Sequence, residues 1–203
     1  MCNNYANRVP IDAYREAFAH TRIPLVSPAP SASPNLEPND DIRPTDSAPI
    51  LRAVEGGLEL APMKWGFSPG RPKAPPVINF RSEGRRFDNG RCLIPASAFF
   101  EFTGTKTPKT RWRFTLSDAD WFCLAGLWRP AREDWPDSFT MLTTAPGEDV
   151  APYHDRQVVV LARADWEPWL LDGDIRVLRA GPPGSLQVQE SPRPPVHKPA
   201  RTA

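Results

Sequence analysis

The feature that most constrains this fold is a succession of short apolar runs, each closed by turn-forming residues, through the second half of the chain. Arg91 to Pro95, Ala98 to Thr103, Thr110 to Leu116, Trp121 to Leu127, Phe139 to Thr143 and Gln157 to Leu161 are too short for helices and read as strands. In the third of them Arg111, Arg113 and Thr115 alternate with Trp112, Phe114 and Leu116, as in a strand with one face in the core and the other in water. Upstream, Ile50 to Val54, the turn Glu55-Gly56-Gly57 and Leu58 to Phe67 read as a hairpin. Ile78-Asn79-Phe80-Arg81 alternates too, so Asn79 and Arg81 share a face. Helix is predicted only in two places. Ile11, Tyr14, Ala17 and Phe18 have helical spacing after Pro10, in a helix ending near His20, and Trp166, Trp169 and Leu170 recur at three and four within Ala164 to Leu171. Residues 24 to 49, rich in Pro, Ser, Asp and Asn, read as a long surface loop. The fold class expected is α+β and β-rich, with few short helices.

At 203 residues the chain is long enough to bury a core without disulfide or metal support. One domain over residues 1 to 190 is expected, followed by a proline-rich, basic, disordered tail over 191 to 203. Of the 3 cysteines, Cys92 and Cys123 lie in apolar runs and read as small buried hydrophobes. An odd count without a Cys-x-x-Cys pair fits a reduced, cytoplasmic protein. No leader opens the chain and no apolar run has the length of a membrane span, so no membrane partner is expected. No cluster has metal-ligand spacing, and neither metal nor cofactor is expected.

The net charge of +1 hides an uneven distribution. Residues 64 to 113 hold 11 basic and 3 acidic side chains, interleaved with Trp65, Phe67, Phe80, Phe87 and Trp112. Arg81, Arg85 and Arg86 lie in this segment. Its composition suits a groove that follows phosphates and stacks bases, or, in the plainer reading, a solvated face whose aromatics sit in the core.

Three positions invite chemistry. Removal of Met1 would leave Cys2 as a 1,2-aminothiol, although a cysteine at position two is often incidental. An α-amine titrates near 7.7 to 8.0, so roughly a tenth or more is free base at neutral pH and can attack an aldehyde, after which the thiol can close a thiazolidine. Glu101 alternates with Phe100 and Phe102, which makes it either a structural partner for an arginine or an acid/base group tuned by desolvation. A histidine at a strand edge is usually just a polar loop residue, yet His154, just before the Gln157 strand, has a better context for proton transfer than His20 or His197.

Taken together, the chain resembles the SOS response-associated peptidase family, also called the SRAP or abasic-site processing domain. The matching pieces are Met1-Cys2, the Asn35 to Pro38 Asn-x-x-Pro, Trp65-Gly66 before a proline, Asn79-Phe80-Arg81-Ser82-Glu83, and Arg91 to Ala96 leading to Phe99-Phe100-Glu101. Ala125-Gly126-Leu127-Trp128, Leu142-Thr143-Thr144 and His154-Asp155-Arg156 complete them, covering roughly residues 1 to 190. The cysteine is followed by Asn3-Asn4, where family members have Gly-Arg or Asn-Leu.

The resemblance implies a compact, barrel-like antiparallel sheet with a positive groove leading to Cys2. It implies binding of single-stranded DNA and covalent crosslinking to abasic sites, by a monomer that is nucleoid-associated when on DNA. Cys2, Asn79, Glu101 and His154 become the active-site residues. Asn35, Pro38, Trp65, Arg81, Arg85, Arg86, Thr144 and Arg156 become DNA-contact candidates, with Arg81 and Arg156 expected to clamp phosphates. An N-terminal-cysteine autopeptidase and a non-catalytic single-strand-binding module are the alternatives.

Overall fold

In the computed structural model, residues 2–19, 21–26, 37–71, 73–132 and 134–192 are described. The chain begins with β1 (Tyr5–Asn7), α1 (Ile11–Phe18), β2 (Leu25–Val26), β3 (Asn39–Ile42), β4 (Ser47–Val54), β5 (Gly57–Trp65) and β6 (Asn79–Arg81). It continues through β7 (Arg91–Ala96), β8 (Ala98–Thr103), β9 (Thr110–Leu116), β10 (Phe122–Arg129) and β11 (Ser138–Thr144). The remaining strands are β12 (Gln157–Val158), β13 (Val160–Leu161) and β14 (Leu186–Glu190). Short helical turns at Arg163–Asp165 and Pro168–Asp172 stand where a brief second helix was expected, and another follows at Ile175–Val177.

Among the described residues the strands form two sheets. The smaller has the order β14-β9-β8-β1-β3, and the larger runs β12-β11-β10-β7-β4-β5-β2 with β13 beside β10 and β6 beside β11. The larger sheet curls until Lys64 and Trp65 of β5 meet Ser138 and Phe139 of β11. That pairing is parallel, as are β6 with β11 and β2 with β5, so the expected antiparallel sheet is in fact mixed at three short seams.

Period-two alternation divides the interior into two layers. Ile50, Cys92, Ile94, Leu124 and Met141 point from the larger sheet toward Tyr5, Phe99 and Phe114 of the smaller one. Their sequence neighbours Leu51, Leu93, Ala125 and Leu142 point the other way, where Tyr14 and Phe18 of α1 and the indoles of Trp166 and Trp169 cover them. The helix exists because its Tyr14, Ala17 and Phe18 stripe has this apolar face to bury, in accord with its spacing. Between β8 and β9, Phe99 stacks on Phe114 with ring centroids 4.7 Å apart.

Residues 24 to 49 are not one loop. Residues 27–36 lie outside the described set, but β2, β3 and the start of β4 occupy the flanks. Asn39–Ile42 lacks apolar alternation and is a strand because β1 offers an open edge, with Tyr5 opposite Ile42. At the other end of the chain β14 lies along β9 from Leu186–Leu116 to Glu190–Trp112. Beyond it, residues 193–203 of the expected tail lie outside the described residues.

Candidate active site

The reactive end of the chain is threaded between the sheets. β1 pairs Tyr5 with Phe99 of β8, and the extended course continues upstream, where the Phe100 N–H donates to the Asn4 carbonyl at 3.0 Å. Cys2 is carried in this way alongside Glu101, and both residues are 1% exposed. The backbone N–H of Cys2 lies near enough to the Glu101 carboxylate to oppose the rise in its pKa. The Cys2 thiol donates to the Asn4 carbonyl at 3.2 Å. From the opposite side, Asn79 Nδ2 donates to the Cys2 carbonyl at 2.7 Å.

Burial sets the chemistry of these groups. It pushes the Cys2 thiol up to about 12, with the negative charge of Glu101 adding to the effect. Burial also pushes the Glu101 carboxyl up to about 7, opposed chiefly by the positive charge of the N-terminal amine and slightly by the Cys2 N–H, with the Asp155 charge adding to the rise. A carboxyl with that value is divided between acid and base at neutral pH, which suits proton transfer in both directions. Asn79 Oδ1 is buried with no hydrogen-bond partner among the described residues, an acceptor held ready beside Cys2.

His154 lines a cavity of about 870 Å³ together with Glu101, Asn3, Lys109 and Arg111. Its Nδ1 accepts the Arg156 backbone N–H at 3.0 Å, which leaves the proton of the neutral ring on Nε2. The same Nδ1 lies 2.8 Å from Asp155, whose carboxylate is 89% exposed. Burial lowers the His154 pKa despite that carboxylate, because a solvated charge is screened. The resting imidazole is neutral, and Asp155 is placed to receive Nδ1–H when the ring takes up a proton.

This arrangement has a family. The sequence matches the family described as SOS response associated peptidase (SRAP) over residues 1–180. The chain belongs to the SRAP family. The abasic site processing protein YoaM of Bacillus subtilis is 29% identical over 155 residues, a match covering 66% of this chain and 66% of that protein, just under two thirds of its length. The abasic site processing protein YedK of Escherichia coli is 25% identical over 183 residues, 84% of this chain and 79% of that protein. A crystal structure of a Bordetella bronchiseptica protein superposes with a TM-score of 0.73 at 26% identity, covering 95% of this chain and 100% of the other. A phage-related protein of the same organism, at TM-score 0.71, 23% identity and 95% coverage of both chains, shares the fold.

The DNA-contact candidates of this SRAP chain fall into three groups. Pro38, Arg81, Arg85 and Arg86 are exposed. Arg85 and Arg86 line a separate cavity of about 720 Å³ with Phe80, Phe87 and Trp128, and Arg85 lies 4.7 Å over the Phe80 ring. Trp65 and Thr144 are buried. Trp65 is 0% exposed, stands edge-on to Tyr5 and donates its indole N–H to the Ile78 carbonyl, so it props the strand bearing Asn79 and has no face open to a base. Thr144 pairs with Gln157 at the end of β11.

Arg156 is committed elsewhere. Its guanidinium grips both oxygens of Glu83 and donates to the Thr143 carbonyl and hydroxyl at 2.9 and 3.1 Å. In this way the side chain ties the turn after β6 to β11, and it is 14% exposed. Asn35 lies outside the described residues.

The basic segment is likewise not all groove. Arg91 donates to the carbonyls of Phe87, Asp88, Leu170 and Leu171. Arg111 was expected on a solvated strand face, yet its side chain is 4% exposed. Sequence reasoning missed both Arg111 and Asn4 as parts of the site. The signal available was the Asn3-Asn4 pair directly after Cys2.

Proposed function

We propose that this protein captures abasic sites in single-stranded DNA by a covalent bond to Cys2 exposed by removal of Met1. The observation that carries the reading is the burial of Cys2 beside Glu101, a carboxyl that burial pushes up to about 7. The atom that becomes the α-amine is then close to a group able to serve as its general base. The names of the relatives YoaM and YedK, abasic site processing proteins, agree with this chemistry.

An abasic deoxyribose is mostly a closed hemiacetal, so the ring must open before attack. His154 supplies the Nε2 proton exchange for ring opening. The Cys2 amine then adds to the C1 aldehyde, with Glu101 taking the ammonium proton. Loss of the carbinolamine hydroxyl as water, protonated by Glu101 or His154, leaves an imine. The thiol adds across the C=N bond, sulfur to carbon and proton to nitrogen, closing the thiazolidine. Aldehyde plus aminothiol thus becomes thiazolidine plus water, with no redox partner. Asn79 holds the Cys2 carbonyl and offers Oδ1 to a sugar hydroxyl or to the carbinolamine O–H. Arg81, Arg85 and Arg86, with Pro38, supply the contacts along the strand.

The test is a single-stranded oligonucleotide with one abasic site, incubated with the protein and boiled in detergent. A shifted band that survives boiling and disappears with Cys2→Ala is expected. A shift lost on boiling and sensitive to salt would leave only a binding module, and cleavage of peptides without an adduct would favour the peptidase.

A further inference from the structure

We infer that Arg111, Asn4 and Asp41 form a positioning cluster that holds the end of the chain in the attitude needed to turn an imine at Cys2 into a thiazolidine. The inference rests on the crosslinking reading above and concerns three residues that take no part in its proton transfers.

Arg111 is the anomaly that calls for it. A guanidinium that is nearly inaccessible is costly unless its donors are met. Here it lies flat over the Phe100 ring, 3.4 Å from the centroid, and directs Nε and Nη2 to a single acceptor, Asn4 Oδ1, at 3.0 and 2.6 Å. Nη2 also reaches the Asp40 carbonyl at 3.4 Å and stands 3.7 Å from Asp41. On the other side of the same amide, Asn4 Nδ2 donates to Asp41 Oδ1 at 2.7 Å and to the Ile42 carbonyl at 3.1 Å. Both lone pairs and both protons of the Asn4 amide are therefore used, and the group has one orientation. β9 and β3, from opposite sides, grip one side chain of the N-terminal segment.

What that side chain controls is the reactive residue. The Asn4 main-chain carbonyl receives the Cys2 thiol and the Phe100 N–H. Chain termini fray unless tied down; here Asn79 holds the Cys2 carbonyl, and the Cys2 nitrogen lies near Glu101. Both flank the amine. The Asn4 carbonyl receives the sulfur. Ring closure needs that sulfur within reach of the imine carbon along the right approach, and a displacement of an ångström can cost about a hundredfold in rate. Arg111 and Asp41 act through Asn4 and touch no reacting atom, so they are positioning residues.

The experiment compares wild type, Arg111→Met, Asn4→Ala and the double variant, with Arg111→Lys as the conservative control. Methionine keeps the packing on Phe100 and removes the donors. Maximal crosslinking rate and half-saturating concentration of the abasic oligonucleotide are measured, together with the ratio of borohydride-trapped imine to boil-stable adduct. Arg111→Met should lower the maximal rate of stable adduct by about a hundredfold. Its half-saturation should be unchanged and its imine-to-adduct ratio higher. Arg111→Lys should recover part of the loss, and the double variant should be no slower than the worse single, since the residues act as a unit. If Arg111→Met does not fold, Asn4→Ala carries the same readouts alone. Wild-type partitioning in the variants, additive losses in the double, or a raised half-saturation with unchanged maximal rate would overturn the inference and leave the crosslinking reading standing. Absence of any boil-stable adduct from wild type would instead sink that reading, and this one with it.

Discussion

Replacing Glu101 by glutamine tests the central group through stability and rate at once. Glutamine keeps the shape and an acceptor for the Cys2 N–H but cannot ionise. Raising the carboxyl from 4.5 to about 7 penalises its charged form by about 3 kcal/mol, at 1.36 kcal/mol per tenfold in acidity. Between those two pH values the native protein holds a proton that the unfolded chain has released, so wild-type stability falls as pH rises through that window. Below it both side chains are neutral and the two proteins should unfold alike. At pH 8 the Gln variant should be the more stable by up to about 3 kcal/mol. It should also form adduct about a hundredfold more slowly, and lose the rise in rate that wild type shows as pH passes 7. Urea unfolding of both proteins at pH 4.5 and 8, beside crosslinking rates over the same range, decides the matter. A stability difference that does not change with pH would show that the carboxyl is not the buried titrating group described. A Gln variant crosslinking at wild-type speed would remove Glu101 from the chemistry.

Cys2→Ser keeps the amine and loses the thiol, so borohydride should trap an imine while no boil-stable adduct accumulates; a stable crosslink from this variant would point to another nucleophile. Arg156→Ala should cost stability rather than DNA affinity, by about 1 kcal/mol because Glu83 is 46% exposed and partly screened. Glu83 is held down to about 2, so this contribution should be present at neutral pH and vanish as pH falls through that value, checked by thermal unfolding of both proteins. Arg81→Ala should weaken binding to every sequence alike and reduce the salt slope by about one, measured by titration over a salt series.

Much of the fold is legible in the local pattern, because a strand buried on one face must alternate. Ala98–Thr103 and Thr110–Leu116 have the limits that their alternation suggests. The failures share a cause, which is partnership at a distance. Asn39–Ile42 is a strand only because β1 lies beside it. Arg111 reads as a solvated position and is buried, because its partner is Asn4, 107 residues earlier. β14 does carry a signal, Leu186 and Val188 alternating with Gln187 and Gln189, but it sits against a proline-rich end that obscures it. At the site, Glu101 and His154 can each be singled out by context, while their meeting in one cavity belongs to the register of β8 and the turn before β12. Trp65, buried behind the strand that bears Asn79, shows the converse limit. A motif names a residue without saying whether it faces the ligand or supports one that does.

The burial of Cys2 also orders the chemistry in time. Thiolate, not thiol, is the form that reacts with oxidants and free electrophiles, and a thiol pushed up to about 12 is almost wholly protonated at neutral pH. The sulfur is therefore inert while the protein waits. On the proposed reading the amine freed by loss of Met1 stands beside a carboxyl pushed up to about 7, so it is the group prepared to act first. Once an imine forms, its carbon is within an intramolecular distance of the sulfur, and the neutral thiol can add with its proton passing to nitrogen. A closed five-membered ring then replaces a bond that water would otherwise reverse. Selectivity for an aldehyde over an intact nucleotide follows from the same order, since a base-bearing C1 offers the amine nothing to attack and the thiol is never called on.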